Sequence, residues 1–289
     1  MRMRTILIIG SALASSVLLV TGCGGSSGSS AADGGKLRVV AAENFWGSVA
    51  SQLGGSKVAL QSIIVNPNTD PHSYEPTASD ARTLAGAQVA IVNGIGYDIW
   101  ASKLIAANPV SARTTLDVGT LLGLKEGDNP HQWYSPSSVQ KVIAAIDADY
   151  GKLDPGGKAY FAARRQHFET VSLATYNRLR AEIRRRFSGV PVGYSESIFQ
   201  PLGQSLGLKL LTPYSFAKAV AEGTEISAQD KETVDAQAQQ RQIKVWIYNS
   251  QNATPDIQRI NAICHARGIP IATCAPASVR ASLAVGSYE

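Results

Sequence analysis

Apolar positions along the chain fall into short runs separated by stretches with helical character. Residues 37–42, 58–65 and 89–92 are runs of Val, Ile, Leu and Ala with the length and composition of buried strands. Helices are predicted between them over 44–53 and 77–85, the second with Ser79 and Asp80 near its start, where helix N-termini favour such residues. A further helix is predicted over 136–150. This alternation is the rhythm of a parallel sheet covered by helices.

The pattern then changes. No Gly or Pro occurs between Lys158 and Phe187, and Phe161, Phe168, Val171, Leu173, Tyr176, Leu179 and Ile183 recur at helical spacing. A single helix of about 30 residues would be about 45 Å long, enough to bridge two lobes. Beyond it the alternation resumes, with strands predicted over 190–194, 208–211, 243–248 and 269–273. Thr254-Pro255-Asp256 opens a helix to Arg267 with a capping hydroxyl, a first-turn proline and an acid at the positive dipole end. The predicted class is α/β: two lobes (residues 37–152 and 189–289), each a parallel sheet flanked by helices, joined by one long linking helix (residues 153–188). The halves share an architecture but no internal sequence repeat.

The amino terminus changes the picture from a free globule to an exported one. Arg2 and Arg4 precede an apolar run over 6–20, which is short of the roughly 20 residues that span a bilayer. It ends in Val20-Thr21-Gly22-Cys23, which resembles a bacterial lipobox: residues 1–22 would be removed and Cys23 would carry a lipid. An ordinary signal peptide with an incidental cysteine is the alternative. Residues 24–35 are almost all Gly, Ser and Ala, so 23–36 reads as a flexible tether from the anchor to the body. These features predict a protein anchored on the extracytoplasmic face of the cell membrane.

Charge adds little. The chain of 289 residues carries a net +5, and loss of two arginines with the signal leaves 25 basic against 22 acidic residues. No extended basic patch accompanies the run Arg184-Arg185-Arg186, so nucleic acid is excluded as a partner. With Cys23 lipidated, Cys264 and Cys274 remain. In an exported protein they are either joined as a disulfide or free buried thiols.

Histidine is scarce enough to read one residue at a time. His167 lies inside the long helix, and His265 in the last turn of another, where a cation suits the negative dipole end. His72 and His131 differ: each follows a proline in a loop leading into a helix, and such loops are where α/β proteins build sites. On spacing alone they either share a metal or are two unrelated loop histidines.

The motifs around them narrow this. Asp70-Pro71-His72-Ser73-Tyr74-Glu75-Pro76 with Ser79-Asp80, and Asn129-Pro130-His131-x-Trp133, resemble the two ligand motifs of the zinc- and manganese-binding solute receptors of ABC transporters. The resemblance spans about residues 37–271 and includes the long helix. It implies a receptor that is not an enzyme and hands Zn2+, or alternatively Mn2+, to an ABC permease and its ATPase as a monomer. It implies His72, His131 and Glu196 as metal ligands, Glu196 from Tyr194-Ser195-Glu196-Ser197. The fourth family ligand, an acid after the last strand, has no counterpart: Cys274-Ala275-Pro276-Ala277-Ser278 follows, and the next acid is Glu289. A Cys274 thiolate, a water or another acid would fill that position. Binding is expected to release protons below about pH 6.5, since ligating imidazoles must be neutral. The long helix is expected to limit closure to a small rearrangement. The rival readings are an adhesion-type surface lipoprotein, a degenerate member that binds metal weakly, and a zinc hydrolase. The hydrolase would need a placed general base, and no H-E-x-x-H helix occurs.

Overall fold

The structure, a computed structural model, describes residues 35–274. The signal, Cys23, residues 24–34 of the tether and the segment from Ala275 onward lie outside the described residues. The first half runs β1 (Leu37–Glu43), α1 (Asn44–Gly54), β2 (Val58–Ile64), α2 (Ala78–Ala85), β3 (Val89–Val92), α3 (Ile99–Ala107), β4 (Thr114–Asp117), α4 (Val118–Leu122) and α5 (Pro136–Leu153). Then come α6 (Lys158–His167) and α7 (Ala174–Phe187). The second half runs β5 (Pro191–Tyr194), α8 (Gln200–Ser205), β6 (Lys209–Leu210), α9 (Tyr214–Ala221), α10 (Ala228–Gln239), β7 (Trp246–Asn249), α11 (Pro255–Ala266) and β8 (Ile271–Cys274).

Each half builds one four-stranded sheet, parallel throughout, in the orders β2-β1-β3-β4 and β6-β5-β7-β8. The predicted α/β class with two sheets and flanking helices is observed. The shared order puts a topological switch between β1 and β3 in one sheet and between β5 and β7 in the other. Crevices at the carboxyl ends of strands beside such switches are the usual sites of ligand binding.

The main core gathers β1, β3, α1, α5 and α6 around Trp46, Tyr150, Phe161 and Phe168, all essentially inaccessible. Burying an aromatic side chain of this kind contributes roughly 2–3 kcal/mol. A second core packs Phe216, Trp246, Ile257 and Ile260 beneath α9, α10 and α11. Sequence signals act locally as expected at α11, where the Thr254 hydroxyl accepts from the Ile257 N–H and Pro255 occupies the first turn. At α2 the cap is Thr77 rather than Ser79: Thr77 and Asp80 form a reciprocal capping box.

Two local expectations are corrected, and the open alternative for the cysteines is resolved. The linking helix is not α-helical throughout, because a π turn at Phe168–Ser172 separates α6 from α7. The extra residue of that turn rotates the helix phase, so Phe161, Phe168 and Leu173 are buried while Val171 and Leu179 face solvent. The last strand begins at Ile271, not at residue 269. Pro270 has no N–H to give a ladder, and its carbonyl accepts from Trp246 instead. Cys264 and Cys274 are free thiols, not a disulfide: Cys264 is buried in the second core, and Cys274 packs against the first. Burial pushes the Cys264 thiol up to about 11. Burial and the nearby Glu196 push Cys274 up to about 12.

Candidate metal centre

The carboxyl ends of both sheets face one another across a cleft. On the first side, the loop after β3 (Asn93 to Asp98) sets the geometry. Gly94, Ile95 and Gly96 all have positive φ, at 68°, 59° and 79°. For a β-branched residue such as Ile95 this is strained by about 1–2 kcal/mol. The Asp98 carboxylate holds the turn by accepting from the N–H groups of Asn93 and Gly94 at 2.7 and 2.8 Å. The strain aims the Gly96 carbonyl at His72.

His72 is exposed, and its Nδ1 lies 3.3 Å from that carbonyl. A carbonyl only accepts, so Nδ1 carries the hydrogen, and in the neutral ring Nε2 holds the lone pair. Asp70 Oδ1 accepts from the His72 backbone N–H at 3.0 Å, closing the turn that presents the ring.

His131 is 4% exposed. Asn129 controls its tautomer. The Asn129 Nδ2 donates to the Ser197 carbonyl at 2.8 Å and to Gln200 Oε1 at 3.0 Å, which fixes the amide orientation. Its Oδ1 therefore accepts, and His131 Nδ1 lies 2.9 Å from it and must be the N–H. Nε2 again is left with a free lone pair. Fixing the distal nitrogen by an acceptor is how ligating imidazoles are oriented. Burial, with a smaller contribution from the charge of His72, lowers the His131 pKa to about 3.

On the second side, Glu196 follows β5 and is buried. Its Oε1 stands 3.9 Å from His131 Nε2, and since His131 is neutral the contact is not an ion pair. Its Oε2 accepts from Asn249 Nδ2 at 2.6 Å. Burial raises the Glu196 pKa, opposed by hydrogen bonds from Asn249 and Asn252. Asn249 ends β7, directly across the ladder from Cys274.

His72, His131 and Ser197 line one cavity of about 250 Å3, which also has Glu126, Asp128 and Glu222 at its walls. Tyr97 stands edge-on to both imidazoles, with ring centroids 4.8 Å from His72 and 5.9 Å from His131. His72 and His131 thus share one cavity, and Glu196 stands beside His131. Among the described residues, no three His, Cys, Asp or Glu side chains yet close around a single point. Cys274 does not join them. Its side chain lines a separate, mostly apolar groove of about 260 Å3 with Trp46, Trp133 and Leu173.

Several residues at the site were not singled out from sequence. Asn129 lay within a quoted motif, but its role depends on how the proline turn returns it to the ring. Asn93 accepts from Trp46 Nε1 at 2.9 Å and donates to the Pro130 carbonyl at 3.0 Å, tying α1 to the His131 loop. Glu43, at the end of β1, is buried, and neither carboxyl oxygen has a hydrogen-bond partner. Burial, with a smaller contribution from the neighbouring Asp98, pushes its pKa well above the ordinary carboxylate value.

Known proteins resemble this chain in both sequence and fold. The manganese-binding lipoprotein MntA of Halalkalibacterium halodurans is 27% identical over 201 residues, covering 66% of this chain and 64% of its own length. The iron ABC transporter substrate-binding lipoprotein MtsA of Streptococcus pyogenes is 31% identical over 180 residues, 55% of this chain and 57% of its own. The chain thus matches under two thirds of the length of either relative. Among solved structures, a periplasmic metal-binding protein from Candidatus Liberibacter asiaticus has a TM-score of 0.68 at 18% identity, over 82% of this chain and 87% of its own. A crystal structure of ZnuA has a TM-score of 0.66 at 20% identity, over 86% and 96% respectively; at such identities these two establish the fold. The family model of ZnuA, the periplasmic component A of the zinc-uptake complex, matches residues 39–282. The chain therefore belongs to the ZnuA family of metal-binding solute receptors, which are binding proteins and not enzymes.

Proposed function

We propose that this protein is an extracytoplasmic metal-ion receptor, tethered to the membrane through a lipid on Cys23, that delivers zinc as a monomer to an ABC permease and its ATPase. Residues 37–152 and 189–289 act as two lobes, and residues 153–188 as the stiff link that limits their relative motion. The observation that carries the reading is the approach of His131 Nε2 to Glu196 Oε1, 3.9 Å, beside the cavity that His72 also lines. In this reading His72, His131 and Glu196 ligate the ion, and a water takes the fourth position.

Two imidazole nitrogens and one carboxylate oxygen are donors that zinc accepts in a tetrahedral shell at about 2.0–2.2 Å. Manganese is the alternative cargo; it prefers more oxygen, and the affinity order of divalent metals places it below zinc at most sites. The names of the relatives include manganese and iron, while the family model names zinc. Because His131 is already neutral, it gives up no proton on binding, and the expected proton release falls to the other groups.

The test is a competition titration of full-length protein stripped of metal by chelator. One equivalent of zinc, held more tightly than manganese and weakened by both His72→Ala and Glu196→Ala, is the expected result. Failure to saturate with either metal would contradict the receptor reading.

A further inference from the structure

Asn249 holds one half of the Glu196 carboxylate. Its Nδ2 donates to Glu196 Oε2 at 2.6 Å, and Asn252 adds a second amide donor to the same carboxylate. Asn249 cannot turn away from this task. Its Oδ1 accepts from the Gln251 backbone N–H at 3.2 Å, its own backbone N–H donates to Ser195 Oγ at 2.9 Å, and it is 4% exposed. A backbone N–H only donates, so the amide oxygen faces Gln251 and the amide nitrogen faces Glu196. The other carboxylate oxygen, Oε1, stands 3.9 Å from His131 Nε2.

We infer that Asn249 is a specificity-determining residue: it occupies Glu196 Oε2 so that Glu196 gives the ion one oxygen, which biases the site toward zinc and against manganese. The inference rests on the receptor reading above. A carboxylate whose second oxygen is engaged by fixed amide hydrogens binds through one atom. Two histidine nitrogens and one such oxygen make a three-donor set, which four-coordinate zinc completes with water. Manganese favours octahedral, oxygen-rich coordination, and loses most where a carboxylate is kept from chelating. An amide at position 249 adds no charge beside Glu196, where an acid of the same shape would supply one and two more oxygen donors.

The experiment compares unaltered full-length protein with Asn249→Asp and Asn249→Ala, each checked for fold by circular dichroism. Asn249→Asp is isosteric and replaces the donor with ligand oxygens; Asn249→Ala removes the donor and adds no ligand. Zinc and manganese affinities are measured by competition, and the coordination number is read independently from the visible spectrum of the cobalt(II) form. The unaltered protein should show the strong absorption of tetrahedral cobalt. Asn249→Asp should weaken that absorption and reduce the zinc-to-manganese affinity ratio about tenfold or more, a change of about 1.4 kcal/mol. Asn249→Ala should move both readouts in the same direction by less. If the unaltered protein binds metal and both folded variants keep its cobalt spectrum and its affinity ratio, the inference is overturned while the receptor reading stands. If the unaltered protein binds none of the three metals, the receptor reading fails and this inference falls with it.

Discussion

Asn129 and His131 form a two-residue device: the Asn129 oxygen fixes the His131 ring at 2.9 Å while the Asn129 nitrogen reaches the Ser197 carbonyl on the opposite side of the cleft. The same amide selects the imidazole tautomer and ties the first lobe to the loop that carries Glu196. Ser197 Oγ, 3.3 Å from His131 Nδ1, reinforces the contact from the second side. One side chain thus both orients the His131 ring and joins the two lobes.

Asn129→Ala should weaken zinc binding by about 10- to 100-fold, the usual cost of losing such an outer partner. Isothermal titration with a competing chelator measures it. An affinity within twofold of the unaltered protein would show that the ring is held by packing against Trp133 instead.

His131 should resist protonation. Its pKa near 3 lies below the ordinary value of about 6.5, so the unfolded chain takes up the proton first. Stability is therefore lost as pH falls through 6.5 and continues to fall toward 3; the raised carboxyls of Glu43 and Glu196 act in the opposite sense. In the metal-free protein, the loss of stability between pH 7 and pH 4.5 should be about 2–3 kcal/mol smaller in His131→Gln. Urea unfolding at the two pH values measures this, and an equal loss in both proteins would refute a buried neutral ring.

Asn93 is a structural tie more than a surface amide. Asn93→Leu would leave the buried Trp46 N–H and the Pro130 carbonyl without partners, a cost of about 1–3 kcal/mol each. A fall in thermal midpoint of several degrees is expected, with weakened metal binding through the displaced His131 loop. A midpoint unchanged within a degree would contradict this.

Cys264 and Cys274 should each react with a thiol reagent in denaturant without prior reduction, because they belong to separate cores. Mass spectrometry of the labelled peptides decides the matter. A peptide linked through these two cysteines would contradict the separation.

Much of this arrangement is legible in the sequence, and what is not has physical causes. His72 and His131 stand out because histidine is scarce and each follows a proline in a loop. Glu196 is legible only through family resemblance, since a glutamate at the start of a helix is otherwise unremarked. Asn249 carries no signal of its own: a polar residue ending a strand reads like the start of any turn. β4, Thr-Thr-Leu-Asp, has one apolar residue and escapes a hydrophobic pattern, while α3 is apolar over most of its length and shows no stripe. The π turn is hidden because a single added residue barely disturbs helical spacing, yet it decides that Leu173 is buried and Val171 is not.

The most direct measurement is a crystal structure of the zinc-loaded protein with anomalous data at the zinc edge. One strong peak is expected at the lobe junction, within about 2.0–2.2 Å of His72 Nε2, His131 Nε2 and Glu196 Oε1. A peak bound elsewhere, or one at the junction that leaves Glu196 uncoordinated, would contradict the assignment of these three residues as the metal site.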